Sequence, residues 1–347
     1  MLKTFEIAKL VTKIGFLLTL LANIVLIYLT VFYTKSVTPI YKKMIIIFAT
    51  LCILFSIWEL ITQPTIHNFN GGFIYFSTNE NSQLPQEFLQ YALGIYASFF
   101  AVLLSFVSIQ FIFRYWTLTT SRWIRLFRGW KVIFWLFYIL LSTPYGGLMY
   151  VCLQPDEYSD EYMKAEMLSV YSVGVKDVGR FIEVAYDQKG KLRWRNMGFL
   201  FVGNVFLGAT YFIIVYCSIQ MHSALQTLSS LSSKRRRIER QFFKALIVQI
   251  VLPTLLLSFP SFLVISVPLL DIPNHVQSGV LFALFSLYPP MDSLAMMFII
   301  TEYKNCTKRA LGDLTASCLN RKDKRNKESG IESNTGNGNG IFSTTSV

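Results

Sequence analysis

Seven apolar stretches, each about the length of a membrane-crossing helix, limit what this chain can fold into. They begin near Val11, Met44, Leu89, Trp130, Met197, Phe243 and His275. At a rise of 1.5 Å per residue, about 20 apolar residues cover the hydrocarbon core of a bilayer. Spans are expected near 11–33, 44–63, 89–116, 130–152, 197–221, 243–268 and 275–300, which leaves little of the 347 residues for a soluble domain. The expected fold is an all-α membrane protein, a seven-transmembrane helix bundle. An odd number of spans places the termini on opposite faces of the membrane, as suits a molecule that receives something outside and reports it inside.

Only 15% of the residues are charged, against about 25% in a typical soluble domain. The net charge of +12 lies in short basic clusters between apolar stretches. That is the distribution of membrane topology signals, so no nucleic-acid partner is expected. The first stretch, Val11 to Val31, outruns the apolar core of a secretory signal, about 7–15 residues, and is read as a retained helix.

Charge also orients the chain. With the N-terminus outside, the inner segments 34–43, 113–131, 222–244 and 302–347 hold 22 of the 32 Lys and Arg. Outer segments 64–88 and 269–274 hold none. Segment 153–196 argues the other way, with seven basic residues, four of them (Lys189, Lys191, Arg193 and Arg195) at the entrance to span five. The whole chain favours N-terminus outside and C-terminus cytosolic.

Between the spans, 64–88 is rich in Asn, Gln, Gly and Ser and reads as a polar, turn-forming loop. Phe181 to Tyr186 and Lys191 to Arg195, flanking Asp187-Gln188-Lys189-Gly190, predict a β-hairpin that caps the bundle. Pro144 predicts a bend in span four, and Pro253 and Pro260 a kink in span six. Residues 302–318 predict a short interfacial helix with Ala310, Leu311 and Leu314 on one side, and 319–347 a disordered cytosolic tail.

Polar residues at membrane depth are costly and should face the bundle interior with partners. Asp292 is the clearest, with Asn23 of span one as the expected partner in either a switch network or a structural pair. Glu59 has three readings: an ion pair with Lys13, a ligand contact, or an interfacial residue reaching head groups, the last preferred. Arg114 is either a snorkelling topology residue or a coupling residue. The run Lys234, Arg235, Arg236 and Arg237, with Arg240 and Lys244, would meet anionic lipid or an acidic partner. A ligand pocket is expected between the outer halves of spans three, five, six and seven. Gln90, Tyr91, Tyr96, Asn204, Tyr211 and Phe259 are its candidates, with Glu59 and His275 beside them.

The three histidines, His67, His222 and His275, and the five cysteines, Cys52, Cys152, Cys217, Cys306 and Cys318, show no metal or nucleophile spacing. No cofactor, metal site or enzyme activity is expected. Cys306 and Cys318 are either palmitoylated or free thiols. Thr345-Ser346-Val347 resembles a PDZ-domain ligand. The sequon Asn305-Cys306-Thr307 falls on the expected cytosolic side and should be silent.

Three segments in order carry a resemblance. They are Gln110-Phe111-Ile112-Phe113-Arg114-Tyr115-Trp116; Gln241-Phe242-Phe243-Lys244-Ala245-Leu246 with Gln249, Pro253 and Pro260; and Tyr288-Pro289-Pro290-Met291-Asp292 leading to Tyr303-Lys304. Together they resemble the nematode seven-transmembrane chemoreceptors of the Str (serpentine receptor class r) type, over roughly residues 8–310. The resemblance implies a G-protein-coupled olfactory receptor of the plasma membrane, often ciliary, and does not identify a ligand; the aromatic, mostly apolar pocket expected above would suit a small volatile or lipophilic compound. With these segments together, Arg114 is read as a coupling residue for a heterotrimeric G protein, with Tyr115 and the basic residues Lys234 to Arg237 and Lys244 beside it. The switch reading takes in Asn23 and Asp292 with Pro253, Pro260 and Pro290. Two positions depart: Ser293 stands where the family commonly has Pro, and Phe113 where Tyr is frequent. Phe113 also replaces the acidic neighbour that forms a local lock in rhodopsin-like receptors. A seven-helix ligand-gated channel would need a polar pore face, and a transporter two similar halves; neither is visible.

Overall fold

The computed structural model describes residues 2–34, 37–79, 84–227, 233–260, 262, 275–277 and 279–309. Among them, six helices are long and apolar enough to cross a membrane, or seven if one bent pair counts as a span. Span one is Leu2–Phe32 and span two Pro39–Thr62. Pro39 opens the second helix, where a missing N–H costs nothing, and Gln63 closes it in a left-handed conformation at φ 39°. Span three, Gln86–Leu118, is the most enclosed and runs through the centre.

Span four is broken. After short 3-10 turns it runs as Ile133–Leu140 and then Pro144–Cys152. The predicted bend lies at this break, and span three stitches it. Ser98 Oγ donates to the Thr143 carbonyl at 2.7 Å and accepts from the Gly146 amide at 3.1 Å. Such close approach needs small residues: a Cβ on Gly146 would lie 1.8 Å from the Gly94 carbonyl oxygen.

Span five is Trp194–Thr227. Span six is Ser233–Pro253, widened by a π-helical turn at Thr254–Ser258. Pro253 removes one helical donor, and the wider turn absorbs the mismatch. Span seven, Gly279–Ile299, carries Pro289 and Pro290 within the helix and turns 92° into a terminal helix, Thr301–Arg309. Of the predicted interfacial helix, 302–309 is this segment; Ala310, Leu311, Leu314, Cys318 and the tail with Thr345 to Val347 lie outside the described residues.

The expected all-α bundle is corrected at one end, which carries a four-stranded sheet in the order β3-β2-β1-β4. Strands β1 (Pro64–Phe69) and β2 (Gly72–Ser77) form an antiparallel hairpin around Asn70-Gly71. The stretch read as a polar loop therefore holds two strands. Its consecutive Phe73, Ile74, Tyr75 and Phe76, buried on both faces of the strand, outweigh the polar residues around them. Strand β3 (Arg180–Val184) pairs with β2, not with Lys191 to Arg195. Of the predicted hairpin only the Tyr186–Leu192 bridge forms, because span five begins at Trp194. Strand β4 (His275–Gln277) pairs with β1, so His275 lies in the sheet and span seven starts later than expected.

The sheet has two apolar faces. Ile74, Phe76, Ile182 and Val184 pack against Met163 and Met167 of a cap helix, Glu157–Tyr171. Phe73, Tyr75 and Phe181 face the helix bundle and join its core. Asp156 and Ser159 form a reciprocal capping box at the cap helix start. Ser77 Oγ donates to the Thr62 carbonyl at 2.6 Å, and the Ile182 amide to the Leu153 carbonyl at 3.1 Å. These bonds fix the sheet to spans two and four.

Candidate functional site

Beneath the sheet, spans three to six enclose a cleft of about 70 Å³. Phe100 and Ala101 of span three, Tyr145 of span four, Phe199, Leu200, Gly203 and Asn204 of span five, and Ser258 of span six are on its walls. Tyr145 stacks at a tilt on Phe199, with centroids 5.1 Å apart. The lining is apolar and aromatic with few polar groups, as small-molecule sites are.

The structure disperses the expected pocket residues. Asn204 lines the cleft. Tyr211 sits just below, its hydroxyl 2.8 Å from Thr254 Oγ1 and 3.1 Å from Ser258 Oγ, tying span five to the π-turn of span six. Tyr96 is buried against Phe55. Gln90 binds the Arg180 carbonyl at 2.8 Å and so holds the sheet. Tyr91 (60% exposed) and Phe259 (56% exposed) point away from the bundle interior, which corrects their assignment to a pocket. Helical phase explains both, since a ligand-facing and a lipid-facing aromatic look alike in sequence.

Glu59 is only 2% exposed, so the head-group reading is wrong, and Lys13 stands exposed on the outer side of span one. Ser286 of span seven donates to Glu59 Oε1 at 2.7 Å, and the Tyr96 hydroxyl lies 3.5 Å from the same oxygen. Gly15 lets span one approach here, because a Cβ would meet Ser286 at 2.8 Å.

Nearly two helical turns further along span seven, Asp292 is buried, as is Asn23 of span one, but the two take different partners. Gln249 of span six donates to Asp292 Oδ2 at 3.1 Å, and Ser293 donates to Asn23 Oδ1 at 2.7 Å. The expected Asn23–Asp292 bond is thus corrected to two parallel ties, span six to seven and span one to seven. Ser293, noted only as a departure from the family pattern, carries one of them. Pro253, Pro290 and Tyr288 are buried beside this layer, and Pro260 follows the π-turn.

At the end opposite the sheet, Arg114 of span three is 5% exposed. Its guanidinium lies between two rings, 3.5 Å from the Tyr41 centroid and 3.7 Å from that of Phe242. Glu239 at the start of span six faces it, with NH1 to Oε2 at 3.6 Å. Phe113 removes a neighbouring acid, and an acid from another helix replaces it. Among the described residues Arg114 Nε and NH2 have no hydrogen-bond partner. Tyr115 packs edge-on against Tyr216 of span five.

Around this clamp Arg236, Arg237, Arg240 and Lys244 line an open basic cleft with Ser233 and Gln241; the side chains of Lys234 and Arg235 lie outside the described residues. Gln241 also binds Thr301 through its amide and carbonyl, at 2.7 and 3.1 Å, and holds the start of the terminal helix. From that helix Tyr303 bonds Thr30 of span one at 2.8 Å, while Cys306 is buried against the Tyr33 carbonyl.

The chain matches the family of serpentine type 7TM GPCR chemoreceptors, Str, over residues 8–308. The Caenorhabditis elegans "G-protein coupled receptor str-33" is 37% identical over 308 residues, spanning 86% of this chain and 89% of that protein. Proteins named "Serpentine receptor class r-10" from Caenorhabditis elegans and Caenorhabditis briggsae are 23% and 22% identical, each over 84% of this chain and 87% and 86% of their own length. This is a family of receptors, not of enzymes. With the match covering nearly the whole described bundle, the chain belongs to the nematode serpentine chemoreceptor family Str.

Proposed function

We propose that this protein is an olfactory receptor that binds a small, lipophilic ligand in the cleft beneath the sheet and activates a heterotrimeric G protein at the Arg114 end. The N-terminus and sheet face outward, the C-terminus is cytosolic, and the protein resides in the plasma membrane, including that of sensory cilia. The PDZ-like terminus would add a scaffold partner.

The Arg114 clamp carries this reading. A buried cation held by an acid and a ring of span six and a ring of span two comes apart when span six moves, and then offers its free nitrogens to a partner. The basic segment beside it suits the acidic face of a G protein. The outward sheet accommodates the awkward basic residues of 153–196. Arg180 forms a two-pronged pair with Asp160, at 2.8 and 2.6 Å, and Arg193 pairs with Asp156. Long folded segments also cross membranes largely regardless of charge.

The test is expression of the full chain with a panel of Gα subunits and a screen of odorants, with Arg114→Ala at matched surface level. Responses that need both Gα and Arg114 support the reading. A ligand-evoked current that survives both losses would replace it with a channel.

A further inference from the structure

The proposed mechanism leaves Glu183 unused. It sits in the middle of β3, opposite Phe73 of β2, and is 0% exposed. Strand alternation puts it with Phe181 on the face toward the bundle, while Ile182 and Val184 face the cap helix. On the same face Phe181 packs edge-on against Tyr150 of span four with centroids 5.0 Å apart, and the Ile182 amide bonds the Leu153 carbonyl just after that span, which sets this face over the helix whose Tyr145 lines the cleft. Among the described residues neither carboxylate oxygen has a hydrogen-bond partner.

A buried, unsatisfied carboxylate costs several kilocalories unless something repays it. The other acids of this region are satisfied: Asp156, Asp160 and Glu166 each face a basic side chain. Glu59, the second acid buried below the sheet, is held by the hydroxyls of Ser286 and Tyr96. The only buried Lys or Arg among the described residues is Arg114, at the far end of the bundle. The roof of the cleft therefore sets a carboxyl with no counter-charge among the described residues near aromatic groups, Tyr145 and Phe199 on the cleft wall and Phe181 on the same strand face as Glu183, the composition that attracts an organic cation.

We propose that Glu183 anchors a cationic ligand, a small lipophilic amine whose ammonium pairs with the carboxylate and whose apolar part enters the cleft. This rests on the receptor reading and names its ligand class. Burial alone holds the Glu183 carboxyl well above the usual carboxylate range; an arriving ammonium reverses that by favouring the ionised form.

The test uses purified full-length protein in lipid nanodiscs and follows Tm with butylamine, hexylamine and phenethylamine, each beside the alcohol of the same skeleton. The amines should raise Tm and the alcohols should not. Glu183→Gln should weaken amine binding by about tenfold or more. Glu183→Asp, which keeps the charge but retracts it, provides the comparison if the Gln protein fails to fold. The proposal falls if alcohols match amines, if both variants keep the amine response, or if no amine in the set stabilises the wild type. Binding needs no G protein, so the two readings fail separately. Amine binding without Gα activation would leave this proposal standing and remove the receptor reading. Gα activation by neutral odorants, unchanged in Glu183→Gln, would do the reverse.

Discussion

Glu239→Gln tests the clamp most directly. The pair is 3.6 Å apart, with side-chain exposures of 6% for Arg114 and 15% for Glu239. Coulomb attraction at that distance is about 5 kcal/mol at an effective dielectric near 20, before desolvation is subtracted. The contact is longer than the ~2.8 Å of a charge-assisted hydrogen bond, so the net coupling belongs at the low end of measured close pairs, about 1.5 kcal/mol. Losing it leaves a buried guanidinium without a counter-charge in the closed state only. The closed-to-open equilibrium then shifts about tenfold toward open. Basal nucleotide exchange on the coupled Gα, measured in membranes at matched receptor level, should rise by that factor. Tyr41→Leu and Phe242→Leu each remove a cation–π contact of about 1 kcal/mol and should raise it by a smaller amount. Basal exchange in Glu239→Gln equal to or below wild type, with ligand response intact, would refute the clamp.

Gly146→Ala should lower Tm sharply or abolish surface expression, because its Cβ would overlap the Gly94 carbonyl; Gly147→Ala, with nothing within 4 Å, should be neutral by the same thermal assay. Ser293→Ala removes the hydroxyl that binds Asn23 and leaves the helix backbone intact, so Tm should fall by what a buried hydrogen bond of about 1 kcal/mol contributes. The raised Glu183 pKa gives a pH test. The folded protein keeps a proton that the unfolded chain loses above about pH 4.3. Stability should therefore fall as pH rises from there toward the folded pKa, by up to about 1.4 kcal/mol per pH unit. Glu183→Gln should flatten that slope in thermal unfolding between pH 5 and 8.

What the sequence made legible follows from the lengths of the signals involved. Spans are read from some twenty residues each, so local accidents average out. The break at Pro144 and the distorted helix after Pro253 were also readable, because proline acts on its own backbone. The sheet was harder. Asn70-Gly71 ahead of the apolar run Phe73 to Phe76 is a hairpin signal, and the surrounding Asn, Gln and Ser masked it. The pairing of β3 with β2 joins segments about a hundred residues apart, which no local pattern encodes. Glu183 sits in an alternating strand that reads as half-solvated until a helix covers one face and the bundle the other. Glu239 followed a run of arginines and looked like part of a surface charge pattern. Its role needs the approach of spans three and six.

Span seven connects the two ends. Its Ser286 binds Glu59 under the sheet, Ser293 binds Asn23 at mid-depth, Asp292 binds Gln249 of span six, and the terminal helix bonds to span one through Tyr303 and Thr30. Prolines 289 and 290 lie within the same helix and weaken its own hydrogen-bond ladder between the first tie and the others. A ligand that drew Ser286 away from Glu59 would load this weakened segment, and its shift would reach span six through Gln249. Coupling of that kind predicts non-additivity rather than mere sensitivity to mutation. Glu59→Gln alone should change basal exchange, and Glu239→Gln alone should raise it. If one two-state movement serves both, basal exchange in the double variant should depart from the product of the single effects by more than the roughly twofold error of additive sites. Strict multiplicativity would mean that the layer under the sheet and the Arg114 clamp respond independently, and span seven would then be a scaffold rather than the route between them.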